Sequence, residues 1–137
     1  MPLASPPLPD LLPELQRLTA GLLFMSESDA PLEVVNYTRP AGSLPNAALL
    51  QALGEPADVP TRVVTLAYFL RNHTAVTERP DRQPVVAQYQ ALQAFMEQHL
   101  QAAQVYRVGD EPRIRAYALG ESEAGQLLGF KTLLIET

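Results

Sequence analysis

Gly120–Thr137 reads GESEAGQLLGFKTLLIET, and its second half decides the fold. Between Gln126 and Glu136 apolar side chains fall on both alternating faces of an extended chain. Leu128, Phe130 and Leu134 take one face, and Leu127, Leu133 and Ile135 the other. Successive side chains of a strand point to opposite sides, so a strand apolar on both belongs inside a sheet covered on both faces. The sequence then runs out at Glu136 and Thr137. Chain ends ordinarily fray, but one that leaves a buried strand is expected to present its carboxylate and hydroxyl in a defined direction.

Working outward, Val105–Val108 and Arg113–Leu119 read as two further strands joined by the turn Gly109-Asp110-Glu111-Pro112, and Gly120–Gly125 closes a hairpin into the last strand. Pro84 suits the first turn of a helix. The stripe Val85, Val86, Tyr89, Leu92, Phe95, Met96, Leu100 carries that helix to about Ala103. Its glutamines (88, 90, 93, 98, 101) read as a solvated face. Before it, Arg71–Gln83 reads as a polar surface loop and Thr61–Leu70 as a short strand entering a short helix. Asn46 caps a helix to about Leu53, closed by Gly54, and Leu32–Tyr37 reads as a strand with Val34 and Val35 inside. Asp10 caps a first helix carrying Leu12, Leu15 and Leu18. LLFM follows as a buried connection, and Ser26-Glu27-Ser28-Asp29 breaks the apolar run. Residues 1–9 are proline-rich and read as a flexible arm, leaving 10–137 as a single α+β domain. The expected architecture is a mixed central sheet with helices on both faces.

A chain of 137 residues with 47% apolar content can bury a core unaided. The absence of cysteine excludes disulfides and thiolate chemistry. A formal charge of −5 argues against direct nucleic-acid binding, which needs a basic footprint; it leaves a basic protein partner open, though on charge alone mild acidity reads first as a source of solubility. No apolar run approaches the roughly 18 residues that span a bilayer, and the N-terminus lacks a secretory pattern. A cytoplasmic protein without membrane contact is expected. His73 and His99 stand alone, with no ligand at metal-binding spacing. There is no phosphate-binding glycine loop and no GxSxG, and Glu121 and Glu123 read as hairpin charges. Residue chemistry therefore points to no enzyme, and to no cofactor of the protein's own.

Three blocks together are more specific: GLLFMSESDAPLE at Gly21–Glu33, VYRVGD at Val105–Asp110, and the C-terminal LGESEAGQLLGFKTLLIET. They resemble the nuclease A inhibitor family, whose members share a G-L-L-F-M-S-E-S segment, a V-Y-R-hydrophobic-G-acidic segment and an end in G-E-x-x-A-G…E-T. The likeness extends from about Leu12 to Thr137. It implies a three-layer α/β/α sandwich similar to pathogenesis-related class 1 proteins. It also implies non-covalent inhibition of a sugar-nonspecific DNA/RNA endonuclease of the ββα-metal type.

In such inhibitors the terminal threonine hydroxyl reaches the partner's catalytic Mg²⁺, and the glutamate of the M-S-E-S segment bonds to active-site groups. These roles fall on Thr137 and Glu27, with Ser26, Ser28, Glu136 and Thr77 as accompanying partner contacts. The residues alone leave another reading open. Ser26, Ser28 and Asp29 can serve as backbone caps, with Glu27 a solvated turn residue and Thr137 an ordinary end. A same-fold module that binds another protein or a ligand is the alternative function. One departure stands out: the family's loop tryptophan, an interface contact, is missing from this tryptophan-free chain, where Val76 and Thr77 occupy that loop.

Overall fold

The computed structural model describes residues 11–110 and 112–136. The elements in chain order are α1 (Leu11–Thr19), β1 (Leu23–Met25), β2 (Asp29–Pro31), β3 (Glu33–Thr38), α2 (Ala47–Ala52), β4 (Thr61–Thr65) and α3 (Leu66–Thr74). They continue as α4 (Gln83–His99), β5 (Gln101–Val108), β6 (Arg113–Glu121) and β7 (Gln126–Ile135). The main sheet has the order β3-β7-β6-β5-β4, and β1 and β2 form a separate two-stranded sheet. The last strand is central, as its two apolar faces require.

Every neighbouring pair in the main sheet is antiparallel, which corrects the expected mixed sheet. The reason lies in the connections. β5, β6 and β7 follow one another through turns, and α3 and α4 together bring the chain back from β4 so that β5 runs against it. A single crossover helix between those strands would have made them parallel.

One face of β7 contributes Leu128, Phe130 and Leu134 to a core shared with Leu15 and Leu18 of α1, Leu66, Phe69 and Leu70 of α3, and Tyr89, Leu92 and Met96 of α4. The other face contributes Leu127 to a smaller core with Tyr106, Val108, Tyr117, Leu119 and the α2 side of the molecule (Leu49, Leu50, Leu53). α2 begins at Asn46, whose side chain accepts from the Leu49 N–H at 2.8 Å, and Gly54 follows it in the left-handed region, as expected for a cap pair. At the sheet centre a Cβ on Gly129 would stand 1.8 Å from the Ala118 carbonyl oxygen, so only glycine fits there.

Several boundaries differ from the sequence reading. The segment LLFM is a strand, with Phe24 buried and Leu23 and Met25 exposed on either side, and not a buried connection. Val34 and Val35 are only half buried, because β3 is an edge strand. α3 continues through the first part of the expected polar loop to Thr74. α4 stops at His99 instead of about Ala103, because Leu100 turns extended and stays buried while the chain enters β5. The glutamines of α4 are not merely solvated. Gln88 donates to the Leu18 and Ala20 carbonyls at 2.8 and 2.9 Å, closing the open end of α1, and Gln90 donates to the Thr74 carbonyl. The arm at 1–9 and the Asp10 cap lie outside the described residues.

Candidate functional site

The register of β7 builds the site. β3 pairs with β7 only from Gln126 to Lys131, so the last part of β7 has an open edge. The residues preceding β3 take that edge over, running backwards from Leu32 to Ser26 as β7 runs forward. Thr132 Oγ1 donates to the Ala30 carbonyl at 3.5 Å. At the far end the Glu27 N–H donates to the Ile135 carbonyl at 3.1 Å, and the Ile135 N–H donates to Ser26 Oγ at 3.1 Å. Ile135 is thereby bonded through its carbonyl to Glu27 and through its N–H to Ser26, 109 positions away. The turn carrying Glu27 and the departing end of β7 form one edge, with the Glu27 residue exposed on it.

The turn is also held from behind. The Met25 N–H donates to His73 Nε2 at 3.0 Å, and the Tyr89 hydroxyl donates to the Leu23 carbonyl at 2.6 Å. Leu23 and Met25 expose these groups on the side of β1 away from β2, where another strand would otherwise pair. A histidine and a tyrosine satisfy that edge instead. Phe24 between them stacks on Phe69 and on the His73 ring, with centroids at 4.4 and 4.2 Å. His73 is therefore a buried wedge, 3% exposed, and not the loop histidine the sequence suggested. Its role as acceptor requires a neutral ring with the proton on Nδ1, which is buried without a hydrogen-bond partner. Burial, with a smaller contribution from Arg82, holds its pKa below the ordinary histidine value.

Past β7 the ladder continues one step: the Glu136 N–H donates to the Pro112 carbonyl at 2.8 Å. The Glu136 carboxylate accepts from Arg107 of β5 at 2.6 Å. The pair borders a cavity of about 510 Å³ lined by Pro60, Arg62, Asp110 and Ile114 among others.

The structure thus brings Ser26, Glu27 and Glu136 to one end of β7. Ser26 faces inward, its hydroxyl donating to the Ser28 carbonyl at 2.9 Å as well as accepting from Ile135, while Ser28 is exposed. Thr77 belongs to a different set: its hydroxyl accepts from the Arg79 N–H and its carbonyl from the Gln83 amide, in the α3–α4 connection. Next to it Val76 is 91% exposed. Thr137 lies outside the described residues. Sequence reading missed His73, Tyr89 and Arg107. An arginine amid the alternating pattern of VYRV was the one available signal for the last. Among the described residues there is no cluster of three or more histidine, aspartate or glutamate side chains that could hold a metal ion. Among the described residues no helix is long and apolar enough to cross a membrane.

This edge is built from the SES turn and the C-terminal block, two of the segments by which the sequence resembled a family of protein inhibitors. The family model described as nuclease A inhibitor-like protein matches residues 9–137, and the chain belongs to that family. No curated protein matches it. Family membership implies a role as nuclease inhibitor, not as an enzyme, and a nuclease as the protein partner.

Proposed function

We propose that this protein inhibits a sugar-nonspecific, Mg²⁺-dependent ββα-metal endonuclease by plugging its active cleft with the C-terminal threonine and Glu27. The observation that carries this reading is the reciprocal bonding between Ser26-Glu27 and Ile135, which makes one rigid unit of the two segments. A nuclease cleft is basic and holds phosphate oxygens around a hard cation that prefers oxygen ligands. An acidic protein offering the Glu27 carboxylate and the Thr137 hydroxyl supplies oxygens in place of the scissile phosphate. Glu27 facing an arginine of the partner forms a charge-assisted pair. The only metal in this scheme is the partner's Mg²⁺, reached by Thr137. The inhibitor needs no cofactor, touches no nucleic acid and acts in the cytoplasm. In the same reading α2 forms the outer layer of an α/β/α sandwich similar to the pathogenesis-related class 1 fold.

Titrating the purified protein into a nonspecific Mg²⁺-dependent endonuclease and following DNA cleavage tests the proposal. Loss of cleavage at near-equimolar inhibitor is the expected result, and full cleavage at large excess across several such nucleases argues against it. One observation favours a second reading, a module that binds a different protein or a ligand. A groove of about 810 Å³ runs beside the turn, lined by Ser28, Leu32, Arg115, Tyr117, Lys131 and Leu133 among others. Capture from the source cells separates the two: an endonuclease of this type supports the first, and an unrelated protein the second.

A further inference from the structure

The pairing of Arg107 with Glu136 has a feature that stability alone does not explain. In the register of β4 against β5, Arg107 lies directly opposite Arg62. Like charges directly across a strand pair repel. Arg62 is exposed, whereas the Arg107 side chain is only 18% exposed and its Nε is buried without a hydrogen-bond partner. Arg107 is thus a half-satisfied cation in a poor position, and it pairs with the carboxylate of Glu136 at 2.6 Å. Asp110 lines the same cavity, yet the bond goes to Glu136, two strands away in the sheet.

From this geometry we propose that Arg107 is a positioning residue for the C-terminal tip. Its guanidinium fixes the Glu136 side chain while the Pro112 carbonyl fixes the Glu136 N–H, so the chain leaves β7 in one direction. A cavity of about 510 Å³ lies beside the pair, and both Arg107 and Glu136 line it. The sequence reading made Glu136 a direct partner contact. In this account it is an internal anchor, and its neighbour Thr137 makes the contact. The inference rests on the proposed inhibitory role of the tip. A Glu136 held in place before binding loses less conformational entropy on entering a cleft, which is how Arg107 improves affinity without touching the partner.

The test uses the full chain and a nonspecific Mg²⁺-dependent endonuclease that it inhibits, with the inhibition constant as readout and circular dichroism as the check on folding. Arg107→Met raises the inhibition constant at least tenfold, Glu136→Gln raises it comparably, and the double variant is no worse than either. Arg107→Lys recovers part of the loss. In a chain lacking Thr137, Arg107→Met has little further effect, an outcome that a purely structural role would not produce. The proposal is overturned if removing Thr137 weakens inhibition while Arg107→Met and Glu136→Gln stay within twofold of wild type. It is also overturned if Arg107→Met costs as much without Thr137 as with it. If removing Thr137 itself changes nothing, the inhibitory role of the tip fails, and the positioning role with it. Should Arg107→Met not fold, Glu136→Gln with and without Thr137 decides the same question.

Discussion

Two arginines on central strands each reach a distant glutamate, and the pairs are built to different standards. Arg115 of β6 grips Glu55 with two nitrogens, at 3.0 and 2.7 Å, and the Tyr117 hydroxyl adds a third bond at 2.8 Å. The Glu55 side chain is 8% exposed, and its pKa lies below the ordinary carboxylate value. The Arg115 hydrogen bond is the main cause, outweighing the opposing effect of burial. Arg107 offers Glu136 one contact, leaves a buried N–H unanswered and faces another arginine. A closed network of charge-assisted bonds fastens the loop after α2 to the sheet, whereas the open one lies at the departing end of β7. The difference is one of completeness: the polar groups around Glu55 are closed into a network, whereas those around Arg107 are under-satisfied at the end of β7 that the proposed function assigns to the partner.

The largest effect expected is on inhibition. Glu27→Ala removes a charge at the centre of the proposed contact and costs on the order of 2–5 kcal/mol of binding. The turn is held in part by backbone and Ser26 bonds, and circular dichroism checks that the variant is folded before inhibition is read. Unchanged inhibition by a folded variant would reduce Glu27 to a turn residue. Glu55→Ala should do the reverse. It strands Arg115 and Tyr117 and lowers unfolding free energy by about 2–4 kcal/mol in a urea titration, below the full cost of breaking a buried pair because Arg115 is partly exposed. The folded fraction should inhibit normally, and a loss of inhibition without a loss of stability breaks the comparison.

The smallest effect is a pH dependence. Burial holds the folded-state pKa of His73 below the ordinary histidine value, so the unfolded chain takes up the proton first as pH falls. Stability is complete above the unfolded value and is lost as pH drops from there toward the folded one. Protonation turns both ring nitrogens into donors and sets one against the Met25 N–H. The urea midpoint should fall between about pH 7 and about pH 5, a window above the range where Glu55 titrates. His73→Asn should flatten that dependence, and an equally steep profile in this variant assigns it elsewhere.

Much of the sheet was legible because its signals are local. Alternation on both faces of β7 placed it centrally, Asn46 and Gly54 bracketed α2, and β-branched residues at Thr61–Thr65 gave way to a helix where expected. What escaped depends on contacts far apart in sequence. His73 follows Arg71 and Asn72 and reads as polar loop, yet Phe24 and Tyr89, distant in the chain, enclose its ring. Strand direction was misjudged because no local pattern tells a crossover helix from a pair of helices that reverses the chain. At the site, the family blocks pointed to Glu27 and the terminus, but their proximity follows from where β3 stops pairing, a matter of register. The arginine in VYRV marked Arg107 as unusual, but its pairing was not legible, since its partner lies 29 residues on.

The most direct test is the effect of removing Thr137 on inhibition and stability together. The account predicts that the shortened protein keeps the melting temperature of the full chain. Its inhibition of a cognate Mg²⁺-dependent endonuclease should fall by at least tenfold, about 1.4 kcal/mol. Thr137→Val, which keeps shape and carboxylate and removes only the hydroxyl, should reproduce much of that loss. Shortened and substituted proteins that inhibit as well as the full chain would contradict the claim that the Glu27 turn and the C-terminal residues act as one inhibitory edge.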